Sequence, residues 1–215
     1  MTMKVAGGRA EDGIVIGNTY DKYGTKNPIA RWLMNGFDGA LSALVAKVAP
    51  ESIHEVGCGE GYWVSRWLEQ GIDARGTDFS TQVIGMACAD ARARGLDETR
   101  YEVRSIYDVT PERDSANLIV CCEVMEHLEE PERALRALAG IVTDDLIVSV
   151  PREPLWRALN MARGKYLTDL GNTPGHLNHW SRRGIVSLIG CYFDIIEVRS
   201  PLPWTMIHCR RRRQT

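Results

Sequence analysis

The chain has 215 residues, 44% of them hydrophobic and 25% charged, with a formal net charge of −2. That balance suits one soluble domain with room for a sizeable core, and it supplies no global field to draw the chain onto nucleic acid or an anionic membrane. No apolar run approaches the roughly 18–20 residues of a bilayer span. Residues Met1 to Gly8 lack a signal-peptide apolar region. The six cysteines form no C-x-x-C pair, so neither zinc nor a disulfide framework is indicated, and a reducing cytoplasm is the expected compartment.

Residues 1–18 are glycine-rich, poorly patterned and expected to be loose. Pro28 stands at a tolerated first helical position, and Ile29, Leu33, Phe37, Leu41 and Leu44 give the helix after it one apolar face. Ile53 to Val56 reads as a first strand. A helix from Tyr62 presents Trp63, Val64, Trp67 and Leu68 inward and stops at Gly71. Ile72 to Asp78 is a second strand, and Ser80 caps a helix running to Arg94, with Gly95 as its stop. Tyr101 to Ser105 is a third strand. Leu118 to Cys122 is a continuous apolar run, as expected of a strand covered on both faces. Pro131 opens a helix with Ala134, Leu135 and Leu138 inside. Leu146 to Val150 is a fifth strand, and Phe193–Val198 and Thr205–Cys209 are the last two, paired as a hairpin. Strands alternating with helices predict an α/β fold, a Rossmann-like doubly wound sheet of seven strands with helices on both faces, in one domain over residues 1–215.

The most informative segment follows the first strand. Gly57, Gly59 and Gly61 recur at every second position behind Glu55, and Asp78 closes the next strand. Glycines let a backbone approach a ligand closely, the following helix points free N–H groups at the loop, and a carboxylate at Asp78 can accept both hydroxyl hydrogens of a ribose. A dinucleotide fingerprint places its third glycine one residue later, and a pyrophosphate gains nothing from Glu55. This disfavours a nicotinamide dehydrogenase. A cationic sulfonium with an amino-acid tail does gain. The pattern resembles the first motif of class I S-adenosylmethionine-dependent methyltransferases, acid-x-G-x-G-x-G followed by an acid at the end of the second strand. Glu55, Gly57, Gly59, Gly61 and Asp78 match it position for position. The resemblance implies S-adenosylmethionine as cofactor. It also places Ser105 and Ile106 beside the adenine, where relatives often carry an acid in place of the serine. Tyr20 and Tyr23 fall where relatives fold an N-terminal lid, here residues 1–48.

A second constellation, Glu123, Glu126 and His127, resembles the E-V-L-E-H-L signature of small-molecule methyltransferases. It places Glu123 beside the methyl-donor pocket and Glu126 and His127 on the acceptor side. Two carboxylates and an imidazole within five residues suit magnesium or manganese. In ubiquinone-biosynthesis O-methyltransferases and small-RNA 2′-O-methyltransferases a Glu-x-x-Glu-His motif helps hold magnesium. In the RNA enzymes a later histidine completes the site, and His176 and His179 stand ready here. The alternative is metal-free, with Glu126 and His127 capping a helix and lining the pocket.

Methyl transfer from a sulfonium is an in-line displacement, so the protein's main task is alignment. For a hydroxyl acceptor a base removes the proton, and His127, His176 and His179 are the candidates. The expected reaction is O-methylation of a small molecule. Residues 152–184, between the fifth and sixth strands, form an insertion where the class often builds its acceptor wall, and Trp156, Tyr166 and Trp180 either line an aromatic acceptor pocket or bury the insertion against the core. Two rivals remain: an RNA ribose methyltransferase, against which the near-neutral charge weighs, and a non-catalytic S-adenosylmethionine-binding module. The arginine run 210–213 reads as a solvated terminus. Oligomeric state is not legible.

Overall fold

The computed structural model describes residues 4–11 and 13–212. Its first element departs from expectation. Strands β1 (Ala10–Glu11) and β2 (Ile14–Val15) pair antiparallel, Ala10 with Val15 and Glu11 with Ile14. Ala6 and Ile16 bury against Val83. The segment is ordered by partners distant in sequence, which its own glycine-rich pattern cannot reveal. Residues 1–3 and 12 of that stretch lie outside the described residues.

Helix α1 (Pro28–Val48) starts where the Asn27 side chain accepts the N–H groups of Ile29 and Ala30, with Pro28 in the first position. Its buried stripe is Met34, Phe37, Leu41, Leu44 and Val45. Ile29 was expected at the head of that stripe but is 69% exposed, because the first turns run past the edge of the core. The chain then alternates: β3 (Ser52–Val56), α2 (Tyr62–Glu69), β4 (Asp73–Asp78), α3 (Thr81–Ala93), β5 (Tyr101–Val103), α4 (Pro111–Asp114), β6 (Ala116–Cys122), α5 (Pro131–Ile141), β7 (Val142–Pro151), α6 (Leu155–Ala162), α7 (Arg182–Gly190), β8 (Phe193–Arg199) and β9 (Trp204–Arg211). Ser80 caps α3 as expected, accepting the Val83 N–H. β5 ends two residues earlier than its sequence suggested. Ser105 leaves the strand for a turn in which its Oγ accepts the Tyr107 N–H.

The seven-stranded sheet has the order β5-β4-β3-β6-β7-β9-β8. The first five of these strands run parallel, and β9 lies antiparallel between β7 and β8. Along β6, Leu118 and Val120 enter the core under α1, α2 and α3, while Ile119 and Cys121 enter the core under α5 and α7. That two-sided burial explains the uninterrupted apolar run. The arginine run does not fray: Arg210 and Arg211 extend β9, Arg210 pairs with Asp145 and Arg212 with Asp194, and Arg213 lies outside the described residues. Sheet order reverses between β3 and β6, and the crevice beyond their carboxyl ends is where such sheets bind ligands.

Candidate active site

The glycine loop leaves β3 at that crevice. Gly57 and Cys58 donate their N–H groups to the Thr77 carbonyl on β4, at 2.7 and 2.9 Å, which lays the loop across the strand ends. Gly57 has φ +80°, and a Cβ there would stand 2.3 Å from Val124 Cγ2. Gly61 has φ +77°, and a Cβ would stand 2.5 Å from the Tyr101 ring. Both positions therefore need glycine for backbone shape and for space. Asp78 is locked into the same loop: Oδ2 accepts the Gly59 N–H and Oδ1 the Ser80 N–H, each at 3.0 Å. Ser105 is half-buried and Ile106 buried past the end of β5.

Four carboxylates face this region. Glu55 is buried with Oε2 lacking a protein partner, and burial, then the Asp78 charge, pushes its pKa well up. Burial likewise raises Asp78 against the bonds from Ser80 and Gly59. Burial raises Glu123 to about 7, and Glu126 rises through burial and then the Glu123 charge. One cation recurs opposite these groups. Lys22 lowers Glu55, Glu123 and Glu126, and its Nζ lies 5.3 Å from the Tyr23 ring centroid. Tyr23 is stacked on Tyr62 with centroids 3.5 Å apart and meets Trp63 edge-on. Of the two lid tyrosines, Tyr23 is packed onto α2 and Tyr20 is exposed.

The hairpin covers the loop. Glu60 Oε1 accepts the Ala6 and Asn18 N–H groups, at 2.9 and 2.8 Å, and Oε2 accepts the Asn18 amide at 2.6 Å. One buried carboxylate thus pins both ends of the segment. Glu11 accepts from the Ser80 hydroxyl and the Thr81 and Gln82 N–H groups, placing its charge at the N-terminus of α3, where a carboxylate is favoured. Neither glutamate was legible as a latch, because each acts on residues some forty to seventy positions away. Two surface cavities of about 230 and 370 Å³ lie apart from these carboxylates, one beside Arg75 and Arg100, the other beside Val45 and Trp67.

Glu126, His127 and His176 bring one ligand atom each to within 4.8 Å of one another. A tight turn after β6 carries the first two, and a loop of the insertion carries the third. The loop is stitched to the turn: Leu177 and Asn178 donate N–H groups to the Glu126 carbonyl at 2.8 and 3.0 Å, and the Asn178 amide donates to the Leu128 carbonyl at 2.6 Å. His127 Nδ1 lies 2.9 Å from the Gly175 carbonyl. A carbonyl only accepts, so the proton sits on Nδ1 and Nε2 keeps a free lone pair. The His127 and His176 rings meet edge-on at 4.9 Å, and Trp156 stacks on His176 at 6.0 Å. Burial lowers the pKa of His127, and takes His176 to about 3 with help from the two neighbouring histidines.

Two expected members stand elsewhere. Glu123, proposed from sequence as a metal ligand, has φ +59°, and its oxygens accept from Ser149 Oγ at 2.9 Å and Trp204 Nε1 at 2.6 Å. It lies outside the Glu126, His127 and His176 group. His179 is exposed and bonds Asn172 at 2.6 Å. Of the aromatic wall, Trp156 reaches the site, whereas Trp180 packs with the α5 and α7 core. Tyr166, with φ +54°, begins a turn beyond α6.

Residues 54–145 match the family described as a methyltransferase domain. Over 98 residues the chain is 26% identical to a ubiquinone biosynthesis O-methyltransferase from Cupriavidus pinatubonensis, covering 46% of this chain and 39% of that one. The chain thus spans half or less of the length of the curated relatives it matches. Magnesium protoporphyrin IX methyltransferase from Synechocystis PCC 6803 with bound SAH superposes with TM-score 0.66 at 18% identity, covering 88% of this chain and 90% of that one. The N-methyltransferase NodS from Bradyrhizobium japonicum WM9 gives TM-score 0.62 at 15% identity, covering 87% and 99%.

Proposed function

We propose that the chain carries a class I S-adenosylmethionine-dependent methyltransferase domain and transfers the donor's methyl group to a hydroxyl oxygen of a small molecule. The observation that carries the donor assignment is the set of buried acids, Glu55 above all, facing a crevice with Lys22 as their recurrent counter-charge. A sulfonium and an α-ammonium group supply the missing positive charge. The ribose falls to Asp78, the adenine to Ser105 and Ile106, and Tyr23 closes from above.

The acceptor assignment rests on His127. Its neutral ring, with Nδ1–H held by Gly175 and Nε2 free, is set to take a proton from an attacking hydroxyl. His176 is held too far below neutrality for that task and supports His127 instead. The donor set also fits a divalent ion: Glu126 Oε2 is buried without a partner, and neutral imidazoles are free to ligate. Glu126, His127 and His176 would hold magnesium or manganese, which would acidify the acceptor hydroxyl. NodS shares this fold and is named an N-methyltransferase, whereas the ubiquinone-biosynthesis relatives are named O-methyltransferases, so fold alone does not choose oxygen.

The test is turnover of labelled S-adenosylmethionine with small hydroxyl acceptors, with and without manganese, and analysis of the product. A new methyl on oxygen is expected, and one on nitrogen or carbon would sink the acceptor reading.

A further inference from the structure

The glycine loop and the turn after β6 abut, since a Cβ on Gly57 would stand 2.3 Å from Val124 Cγ2. The strap between the hairpin and α1, residues 17–27, brings one cation to that seam. Its ends are pinned, by Glu60 on Asn18 and by the Asn27 side chain on the first N–H groups of α1. Between them the Asp21 carboxylate accepts the Gly24 N–H at 2.8 Å and closes a turn with Lys22 and Tyr23 at its corner. Tyr23 is clamped by its stack on Tyr62 and its edge contact with Trp63, so the backbone at Lys22 is held.

Lys22 is half-buried. Its Nζ lies 5.3 Å from the Tyr23 ring centroid and forms no hydrogen bond or ion pair among the described residues, whereas Arg66, Arg94, Arg100 and Arg104 are all paired with carboxylates. Its charge nevertheless acts on Glu55, Glu123, Glu126 and His127 together. An ammonium carries three donors, and here they are free to meet a ligand. The reaction calls for a cation at this place. A hydroxyl that gives its proton to His127 leaves an oxyanion, and Glu123 and Glu126 oppose a further negative charge so near. The donor's sulfonium attracts that oxygen but loses its charge as the methyl leaves. The donor's own cations also relieve Glu55 of its need for Lys22, which leaves the lysine to the oxygen.

We propose that Lys22 is a further catalytic residue, whose ammonium group hydrogen-bonds the acceptor oxygen and holds it as the anion during methyl transfer. The hydroxyl proton goes to His127 Nε2, and the O–H electron pair stays on oxygen. That oxygen attacks the methyl carbon. The O–C bond forms as the S–C bond breaks, and the S–C pair goes to sulfur, leaving neutral SAH and a methyl ether. Lys22 supplies charge and a hydrogen bond, not a proton. The assignment favours hydroxyls that ionise readily, phenolic or enolic ones over simple alcohols. It rests on the methyl-transfer reading.

The test uses 4-nitrophenol, whose single hydroxyl cannot chelate and whose colour reports its ionisation. It is titrated with pH in the presence of the full chain, saturating SAH and a metal chelator. Bound to the wild type it should ionise about one pH unit lower than in water, a tenfold shift. In Lys22→Met the carboxylates are unopposed, and the probe should ionise at or above its value in water. Lys22→Arg should restore most of the shift, which a merely structural loss would not allow. SAH should bind Lys22→Met no more weakly than the wild type. Several outcomes overturn the proposal: no binding of the probe to the wild type; a bound probe with no downward shift; a shift that survives in Lys22→Met; or a shift that appears only when manganese replaces the chelator. A loss of SAH affinity of about tenfold in Lys22→Met would also overturn it, by assigning the lysine to the donor. Failure of the wild-type chain to bind SAH would instead sink the underlying reading.

Discussion

The proposed donor and acceptor halves of the site are built by opposite means. The donor half is backbone: a loop from Gly57 to Gly61 hung on the Thr77 carbonyl and the Asp78 carboxylate, with every part within about one strand–helix–strand unit. The acceptor half is side chains gathered from afar. Glu126 and His127 come from a turn after β6, His176 from a loop some fifty residues later, and Trp156 from α6. Backbone loops at strand ends are rigid and tolerate few substitutions, whereas a gathered set can be re-cut by changing one loop. Structures that share this fold carry names that specify different methyl acceptors.

The sharpest way to separate the halves is His127→Ala. If His127 takes the proton, turnover should fall by roughly 10²–10⁴-fold, while calorimetry should find SAH affinity unchanged. An equal loss of both would mean that the acceptor turn also holds the donor, and the comparison would break. The complementary change is Asp78→Ala. It removes a charged acceptor for the ribose hydroxyls and releases the Gly59 and Ser80 N–H groups, so SAH should bind about 10–100-fold more weakly. Turnover at saturating donor should change far less. A large fall in turnover with unaltered affinity would refute the assignment of Asp78 to the ribose.

These differences also explain what the sequence could and could not say. Periodicity placed the seven main strands and helices α1, α2, α3 and α5, because each buries a regular face. It missed α4, α6 and α7. α6 is amphipathic, but its eight residues, Leu155–Ala162, are too few for a helical period to stand out from a short apolar run. The residues proposed to hold the donor could be picked out because glycine spacing and a strand-end acid are local signals. Glu126 and His127 were legible for the same reason. His176 and His179 looked equivalent, and only the stitch of Leu177 and Asn178 onto the Glu126 carbonyl turns the first inward and leaves the second outside. Lys22, Glu60 and Glu11 had no local mark at all.

Glu123 joins the halves, and it yields the smallest expected effect. Its carboxyl is held by Ser149 of β7 and Trp204 of β9, and burial lifts its pKa from the ordinary carboxylate value to about 7. The folded protein then binds more protons at this group than the unfolded chain does between about pH 4.5 and pH 7. Its contribution to stability is full below that window and is lost as pH rises through the folded value. Glu123→Gln removes the ionisation. The glutamine oxygen can keep the Trp204 N–H, and its amide can donate to the Ser149 hydroxyl, which turns to accept. The variant should therefore match the wild type near pH 4.5 and be the more stable of the two at pH 8. Thermal unfolding across that range measures the difference. A constant offset at all pH values would show that the hydrogen bonds, and not the buried charge, govern this position. Glu123 would then belong to the packing of β7 and β9, with no part in the electrostatics of the donor crevice.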